Sequence, residues 1–479
     1  MSLIGRSLAL QAARPRALAI AWGVTTALAA GQPAALAAAP SPTGGGRVCE
    51  VPEDYVLPNG MEVRLLSDHS LPAIAVVASV HAGFRHDPQG YEGLAHYVEH
   101  LTFRLAQPHK SIEDLDATIG AIDRNASTNR DTTDYFAIVP PEQLETALWI
   151  EARRLAVGLD TVEETQARAQ REVILREHIL RYGDGAPLTA MEATTEALFP
   201  EGHPYRRKSQ TKASQEGLTL NAARWFFARH YRPEHVRLVL LGDFQAESAK
   251  ALIAALFGPL QAKTVAPAGA PGGRDLDRSE ECRIAARPNR FVPRRVVIKT
   301  QDRRERLELV WPVLFGRNGA SALPALSVLT GRVEIATREQ GLADRVWYDL
   351  RTSELGQSLV LEVDVIPGKP FQEAEALARS EIARLERDPV SEDMVIARRQ
   401  AAELVAIRES HGMLDRAFRL TVRACQPRPC FEPAVQITAE TFTGLERFDP
   451  REAVVVEHRF SGLASPEGDV ESIVVGTSP

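Results

Sequence analysis

Apolar and polar positions along this chain follow two rhythms, one of period two and one of period three to four. After the turn Leu57-Pro58-Asn59-Gly60, residues 61–65 alternate as a half-buried strand does, and residues 74–80 form a near-continuous β-rich run. Residues 135–139 read as a further strand stopped by Pro140-Pro141, and 236–241 as a buried one. Helical spacing predicts helices over 93–103, 112–120, 142–157, 162–181, 191–199, 221–230 and 246–257. A weaker copy of this plan follows. Strands are expected over 295–299, 307–313 and 358–365, and helices over 320–330, 371–387 and 392–407. Ala453-Val454-Val455-Val456 mirrors Leu238-Val239-Leu240-Leu241 near the end of each half. Residues 262–281, containing Ala-Pro-Ala-Gly-Ala-Pro-Gly-Gly, read as a flexible linker. The pattern therefore predicts an α+β protein of two similar halves, residues 48–261 and 282–479.

The N-terminal stretch stands apart. The first 49 residues hold no Asp or Glu, and Arg6, Arg14 and Arg16 precede or open an apolar run over 17–31. Small-residue cleavage sites follow at Ala35-Leu36-Ala37 and Ala37-Ala38-Ala39, the layout of a cleavable export signal over residues 1–39. A mitochondrial transit peptide is the alternative, but such peptides are amphipathic and this run is apolar all round. Export makes the mature chain periplasmic or secreted, with no further stretch able to span a membrane. Cys49, Cys282, Cys425 and Cys430 are an even set in an oxidising compartment. Two disulfides fit: Cys425 and Cys430 can close a short loop, which leaves Cys49 and Cys282. A net charge of −7 with both signs mixed leaves no nucleic-acid footprint.

The chemistry concentrates in Gly93-Leu94-Ala95-His96-Tyr97-Val98-Glu99-His100-Leu101-Thr102-Phe103. On a helix, His96 and His100 share one face, and Glu99 lies near it. Two imidazoles at that spacing suit one zinc ion per chain, and a spare carboxylate beside it can take a proton from water. The order His-x-x-Glu-His is the inverse of the commoner zinc-protease order. A catalytic zinc usually takes a third protein ligand, and the following helix offers Glu163, Glu164, Glu172, Glu177 and His178. Physics alone does not choose among them. His203, His230, His235 and His458 are isolated and read as structural, and Trp347 and Tyr348 as packing residues.

The segment Gly93–Phe103 resembles the inverted-motif zinc metallopeptidases of the pitrilysin and mitochondrial-processing-peptidase family. The resemblance selects the third ligand. Glu177 follows His100 after 76 intervening residues, as the family's third ligand does. Leu57-Pro58-Asn59-Gly60, Asn125-Ala126-Ser127-Thr128, Gly202-His203-Pro204-Tyr205, Tyr231-Arg232-Pro233 and Leu241-Gly242-Asp243 are also similar to the family. The resemblance implies a clamshell of two homologous halves around a chamber, the second half being inactive. It implies Zn²⁺ on His96, His100 and Glu177, with Glu99 activating water for hydrolysis of peptides or unfolded segments. Asn125 and Ala126 would lie on the edge where substrate adds as a strand. Asn125-Ala126-Ser127 is also a glycosylation sequon, set aside because this edge should line the chamber.

Two positions depart from the family. Gln170 stands where a further glutamate is frequent, so metal affinity is expected to change rather than vanish. The family's substrate-gripping arginine and tyrosine should lie near Arg338-Glu339-Gln340-Gly341-Leu342-Ala343. Here Asp344 occupies the tyrosine position and Arg338 is one place out of register. A homodimer or a heterodimer with a similar chain could supply the missing grip. The alternative function is accordingly a non-catalytic or partner-dependent subunit of a peptidase assembly.

Overall fold

The computed structural model describes residues 52–105, 119–182, 186–206, 210–262, 278–285, 295–300, 303–313, 323–387, 412–423 and 453–460. The expected export signal, most of the 112–120 helix and of the 262–281 linker, and the 392–407 helix lie outside these residues, as do Cys49, Cys425 and Cys430.

The first half carries β1 Glu53–Val56, β2 Glu62–Ser67, β3 Ile74–Val80, α1 Leu94–Thr102, β4 Ile122–Thr128 and β5 Thr133–Val139. It continues through α2 Leu144–Val157, α3 Glu164–Tyr182, α4 Ala186–Leu198, α5 Lys212–Glu216, α6 Leu220–His230, β6 Val236–Gly242 and α7 Ala246–Phe257. A short helix, α8 Arg278–Ala285, precedes the second half. That half comprises β7 Arg295–Thr300, β8 Glu305–Val313, α9 Leu323–Glu339, β9 Ala343–Ser353, β10 Gly356–Val365, α10 Phe371–Arg387, α11 Met413–Thr421 and β11 Val454–Phe460.

The strand orders are β1-β2-β6-β3-β5-β4 and β7-β11-β8-β10-β9. In each sheet one parallel pair, β2 with β6 or β7 with β11, sits beside an antiparallel run. Apart from β1 the two sheets share one topology, so the weak sequence repeat is a repeat of structure. Leu238–Leu241 and Ala453–Val456 occupy equivalent strands, as their similarity predicts.

The halves are less separate than a flexible linker suggests. Ile74, Val76, Ala78 and Val80 of β3 enter the core formed with α1, α2 and α6. Ala75 and Val77, on the other face, pack on Ala417 and Leu420 of α11, which belongs to the second half. In return α4 of the first half lays Ala197 and Leu198 on Val296, Ile298, Val310, Val360 and Val454. Each half thus covers one face of the other's sheet. This is why β3 is buried at all seven positions and shows no alternation.

Three elements differ from the expected ones. α9 runs to Glu339, well past the expected end at 330, and so takes in Arg338. β9 was hidden by charge: it is the edge strand of its sheet, and Asp344, Arg345, Asp349 and Arg351 are exposed. α11 has only nine residues and draws its stability from the first half's sheet. Cys282, in α8, is disulfide-bonded.

Candidate metal centre

The helix that carries the histidines is built by its own loop. Asp87 turns both carboxylate oxygens to the α1 N-terminus: Gly93 N donates to Oδ2 at 2.7 Å and Ala95 N to Oδ1 at 2.8 Å. That satisfies donors left free at a helix start and places negative charge at the positive end of its dipole. Gly93 enters at φ +100°, where a side chain would be strained. Leu94, Ala95, Tyr97, Val98 and Leu101 are buried in the first-half core. His96 and His100 therefore lie on the remaining face, one turn apart.

α3 supplies the opposite wall. Tyr97 Oη donates to the Ala167 carbonyl at 2.8 Å, tying the two helices together. Ala167, Gln170 and Ile174 are buried at spacings of three and four, and the next position on that stripe is Glu177. His96 Nε2 and His100 Nε2 stand 3.2 Å apart, and Glu177 Oε2 lies 3.5 and 3.6 Å from them. Donors on a tetrahedral zinc with bonds of about 2.0–2.1 Å stand roughly 3.3 Å apart, so this triangle has the size the ion needs. It also sets two imidazole nitrogens against each other, which is unfavourable without a cation or a shared proton. Among the described residues, this is the one group of three or more His, Cys, Asp or Glu side chains that could hold a metal. Glu163, Glu164, Glu172 and His178 do not join it.

Gln170 occupies the place of the expected carboxylate and keeps its hydrogen bond. His100 Nδ1 donates to Gln170 Oε1 at 3.2 Å, leaving the Nε2 lone pair directed at the triangle. Glu99 is buried, and burial raises its pKa against the opposing pull of Thr128 and His100. Thr128 Oγ1 donates to Glu99 Oε2 at 2.6 Å. Thr128 belongs to β4, the terminal strand of the sheet, which pairs with β5 alone among the described strands. Asn125 and Ala126 lie on the same strand, opposite Phe136 and Tyr135. β4 and the candidate centre are thus joined by the Thr128–Glu99 hydrogen bond. In the sequence Thr128 is one position of the family-like segment Asn125–Thr128, and its place beside Glu99 emerges only in the fold.

A cavity of about 790 Å³ lies between the halves. Phe84, Asp87 and Glu92, from the segment leading into α1, line one side; Arg351, Ser353 and Phe418 of the second half line another. His96, His100 and Glu177 are not among its lining residues. Phe84 connects the two regions, its ring meeting His96 edge-on at 6.5 Å between centroids. Arg338 pairs with Glu334 at 2.6 Å, and neither it nor Asp344 lines the cavity.

A buried ionic hub, unforeseen in the sequence, ties the halves together. Arg85, 4% exposed, meets Asp131 of the first half at 3.0 Å, Glu281 of α8, and Glu354 of the β9–β10 turn at 3.3 Å. Glu354 N donates to Asp131 Oδ2, Leu355 N donates to Tyr205 Oη, and Tyr205 Oη donates to Asp131. His81 Nδ1 stands 2.9 Å from Glu354 Oε1. Gly83 permits the close approach of these loops, since a Cβ there would lie 2.3 Å from the Asn129 carbonyl oxygen. No local pattern marks these residues, because they come from five separated segments.

Residues 62–178 match the family description Insulinase (Peptidase family M16), and residues 217–401 match Peptidase M16 inactive domain. The chain is 33% identical over 195 residues to coenzyme PQQ synthesis protein F of Pseudomonas aeruginosa. That alignment covers 39% of this chain and 24% of the relative. It is 30% identical over 209 residues to an uncharacterised zinc protease of Mycobacterium leprae, covering 42% of this chain and 45% of the relative. The matched stretch therefore spans a quarter to a half of these relatives. A protease from Helicobacter pylori has a similar fold, with a TM-score of 0.68 at 16% identity, covering 86% of this chain and 100% of that one. The periplasmic protease PqqL from Escherichia coli gives a TM-score of 0.64 at 17% identity, covering 89% and 51%.

Proposed function

The chain belongs to peptidase family M16, and from that premise we propose that it is a zinc-dependent endopeptidase acting on peptides or unfolded segments. The observation that carries the proposal is the triangle of His96, His100 and Glu177 beside a buried Glu99. Zinc held by these three donors would supply Lewis acidity, polarising a scissile carbonyl and making water a stronger acid. Glu99, desolvated and oriented by Thr128, takes the proton from the attacking water and returns it to the leaving amine. Gln170 fixes the tautomer of His100. The free edge of β4, including Asn125 and Ala126, holds substrate backbone as an added strand, which satisfies peptide groups without reading their sequence.

In this reading residues 48–261 form the metal-bearing domain and 282–479 its inactive counterpart, with 262–281 as the connection. An exported chain, cleaved after residues 1–39, fits the periplasmic location in the name of the Escherichia coli neighbour. The second reading, a partner-dependent subunit, is favoured by one observation: Arg338 and Asp344, from the segment where the grip is expected, do not line the cavity.

Cleavage of a quenched extended peptide is expected to stop on chelation and to return with about one equivalent of zinc per chain. Cleavage that persists in metal-free protein would sink the zinc reading. A zinc-loaded chain that cleaves only after a similar second chain is added would favour the subunit reading.

A further inference from the structure

The hairpin joining β4 to β5 carries a cation that the mechanism above does not use. Arg130 is half-buried at the cavity wall, its guanidinium stacked 4.7 Å above the centre of the Tyr205 ring. Backbone bonds fix the hairpin: Phe84 N donates to Asn129 O at 2.9 Å and Arg85 N to Arg130 O at 3.0 Å. Among the described residues, the side chain makes one hydrogen bond, Nη2 to Thr195 Oγ1 at 3.4 Å, and meets no carboxylate within ion-pairing reach.

The other guanidinium groups lining the cavity are neutralised. Arg85 is held by Asp131, Glu281 and Glu354, and Arg351 by Glu308, Asp349 and Glu362. Several lining carboxylates are also committed: Asp87 to the α1 N-terminus, Asp131 and Glu354 to Arg85, and Asp134 to Ser79 and Thr132. A half-desolvated guanidinium with most of its donors unused gains most from a planar carboxylate, which it binds through two parallel hydrogen bonds. Among the described residues no carboxylate is ion-paired with Arg130, so the cavity's occupant is what can bring one.

We propose that Arg130 determines specificity by selecting peptides that carry a carboxylate within two or three residues of the scissile bond. The inference rests on the reading of β4 as the substrate edge. Thr128, which contacts Glu99, marks where the reacting carbonyl lies along that edge. Arg130 is two residues further on, in the hairpin that follows the end of β4. Ser127 at the end of β4 and Asn129 to Thr132 of the hairpin line the cavity together with Arg130, so a side chain of the added strand that points into the cavity comes within its reach. An acidic side chain there, or the terminal carboxylate of a short product-like peptide, meets the guanidinium.

The test uses zinc-loaded Glu99→Gln protein, so that binding is read without turnover, and fluorescent peptides differing only in Glu or Gln at the flanking positions. A second pair differs only in a free or an amidated C-terminus. One carboxylate pair is expected to bind about tenfold tighter than its neutral twin, a preference that weakens with salt. Adding Arg130→Gln should bring the ratio near one, and Arg130→Lys should restore part of it. The pair that responds identifies the source of the carboxylate. Equal affinities in the parent protein, no binding at all, or a preference that survives Arg130→Gln would overturn the inference. So would a loss shared equally by both twins, which would mark Arg130 as structural. Acid-selective binding by a chain that never cleaves would defeat the peptidase reading and leave this one standing; cleavage without acid preference would do the reverse.

Discussion

Replacing Glu99 with glutamine is expected to lower peptidase turnover by about a thousandfold while leaving zinc content unchanged. The amide keeps the shape of the side chain, and Thr128 Oγ1 can still donate to its oxygen. What it loses is the ability to hold a proton between attack and departure. Burial strengthens the argument, because it raises the affinity of Glu99 for a proton and so makes it a better base than an exposed carboxylate. Glu99 contributes no atom to the donor triangle, so its loss should not empty the site. Initial rates on a quenched peptide, with metal analysis of the same sample, check both halves of the expectation. Activity within tenfold of the parent would remove Glu99 from this role.

The second large effect is expected from Arg85. Replacing it with methionine removes the one cation shared by Asp131, Glu281 and Glu354 and leaves three carboxylates buried at the junction of the halves. Removing one partner of a buried ionic group costs roughly 3–5 kcal/mol, far more than the pair is worth relative to an apolar replacement. The pH dependence has a definite sign. Burial and Glu354 already hold the Asp131 pKa above its ordinary value, and loss of the guanidinium raises it further. A carboxylate with a raised folded pKa binds more protons folded than unfolded, so its penalty is largest above that pKa and fades as pH falls through it. Arg85→Met should therefore destabilise strongly near pH 7 and less near pH 5. Urea midpoints at the two pH values measure this. A loss that is small, or that grows on acidification, would show that the hub does not hold the halves as described.

How much of this could be read from the chain depends on how local each feature is. The histidine pair, Glu99 and the helix that presents them lie within a few residues, and helical period alone aligns them. Glu177 was legible only through its spacing in a known family, since α3 offers several carboxylates with equal intrinsic claim. Strands β3 and β6 announced themselves by nearly continuous apolar runs, because helices cover both faces of their sheet. The exchange of α4 and α11 between halves was not legible. A nine-residue helix shows an apolar face but gives no sign of which sheet it will cover. Edge strand β9 was lost for a related reason: charge on its exposed positions interrupts the alternation that marks a half-buried strand. Arg85 and Arg130 are neighbours of ordinary-looking loops, and their surroundings exist only once distant segments meet. The sequence-based expectation of two joined α+β halves was right in kind, while the strength of their junction came from contacts separated by up to 361 positions.

The central claim is that two imidazoles and one carboxylate from separate helices hold a single zinc ion. Native mass spectrometry of the mature chain, beside Glu177→Ala and His96→Ala, measures this most directly. One zinc per chain is expected in the parent, and a large loss of zinc from both folded variants. A correctly folded parent that takes up no divalent ion, or a Glu177→Ala protein that retains zinc at the parental affinity, would contradict it.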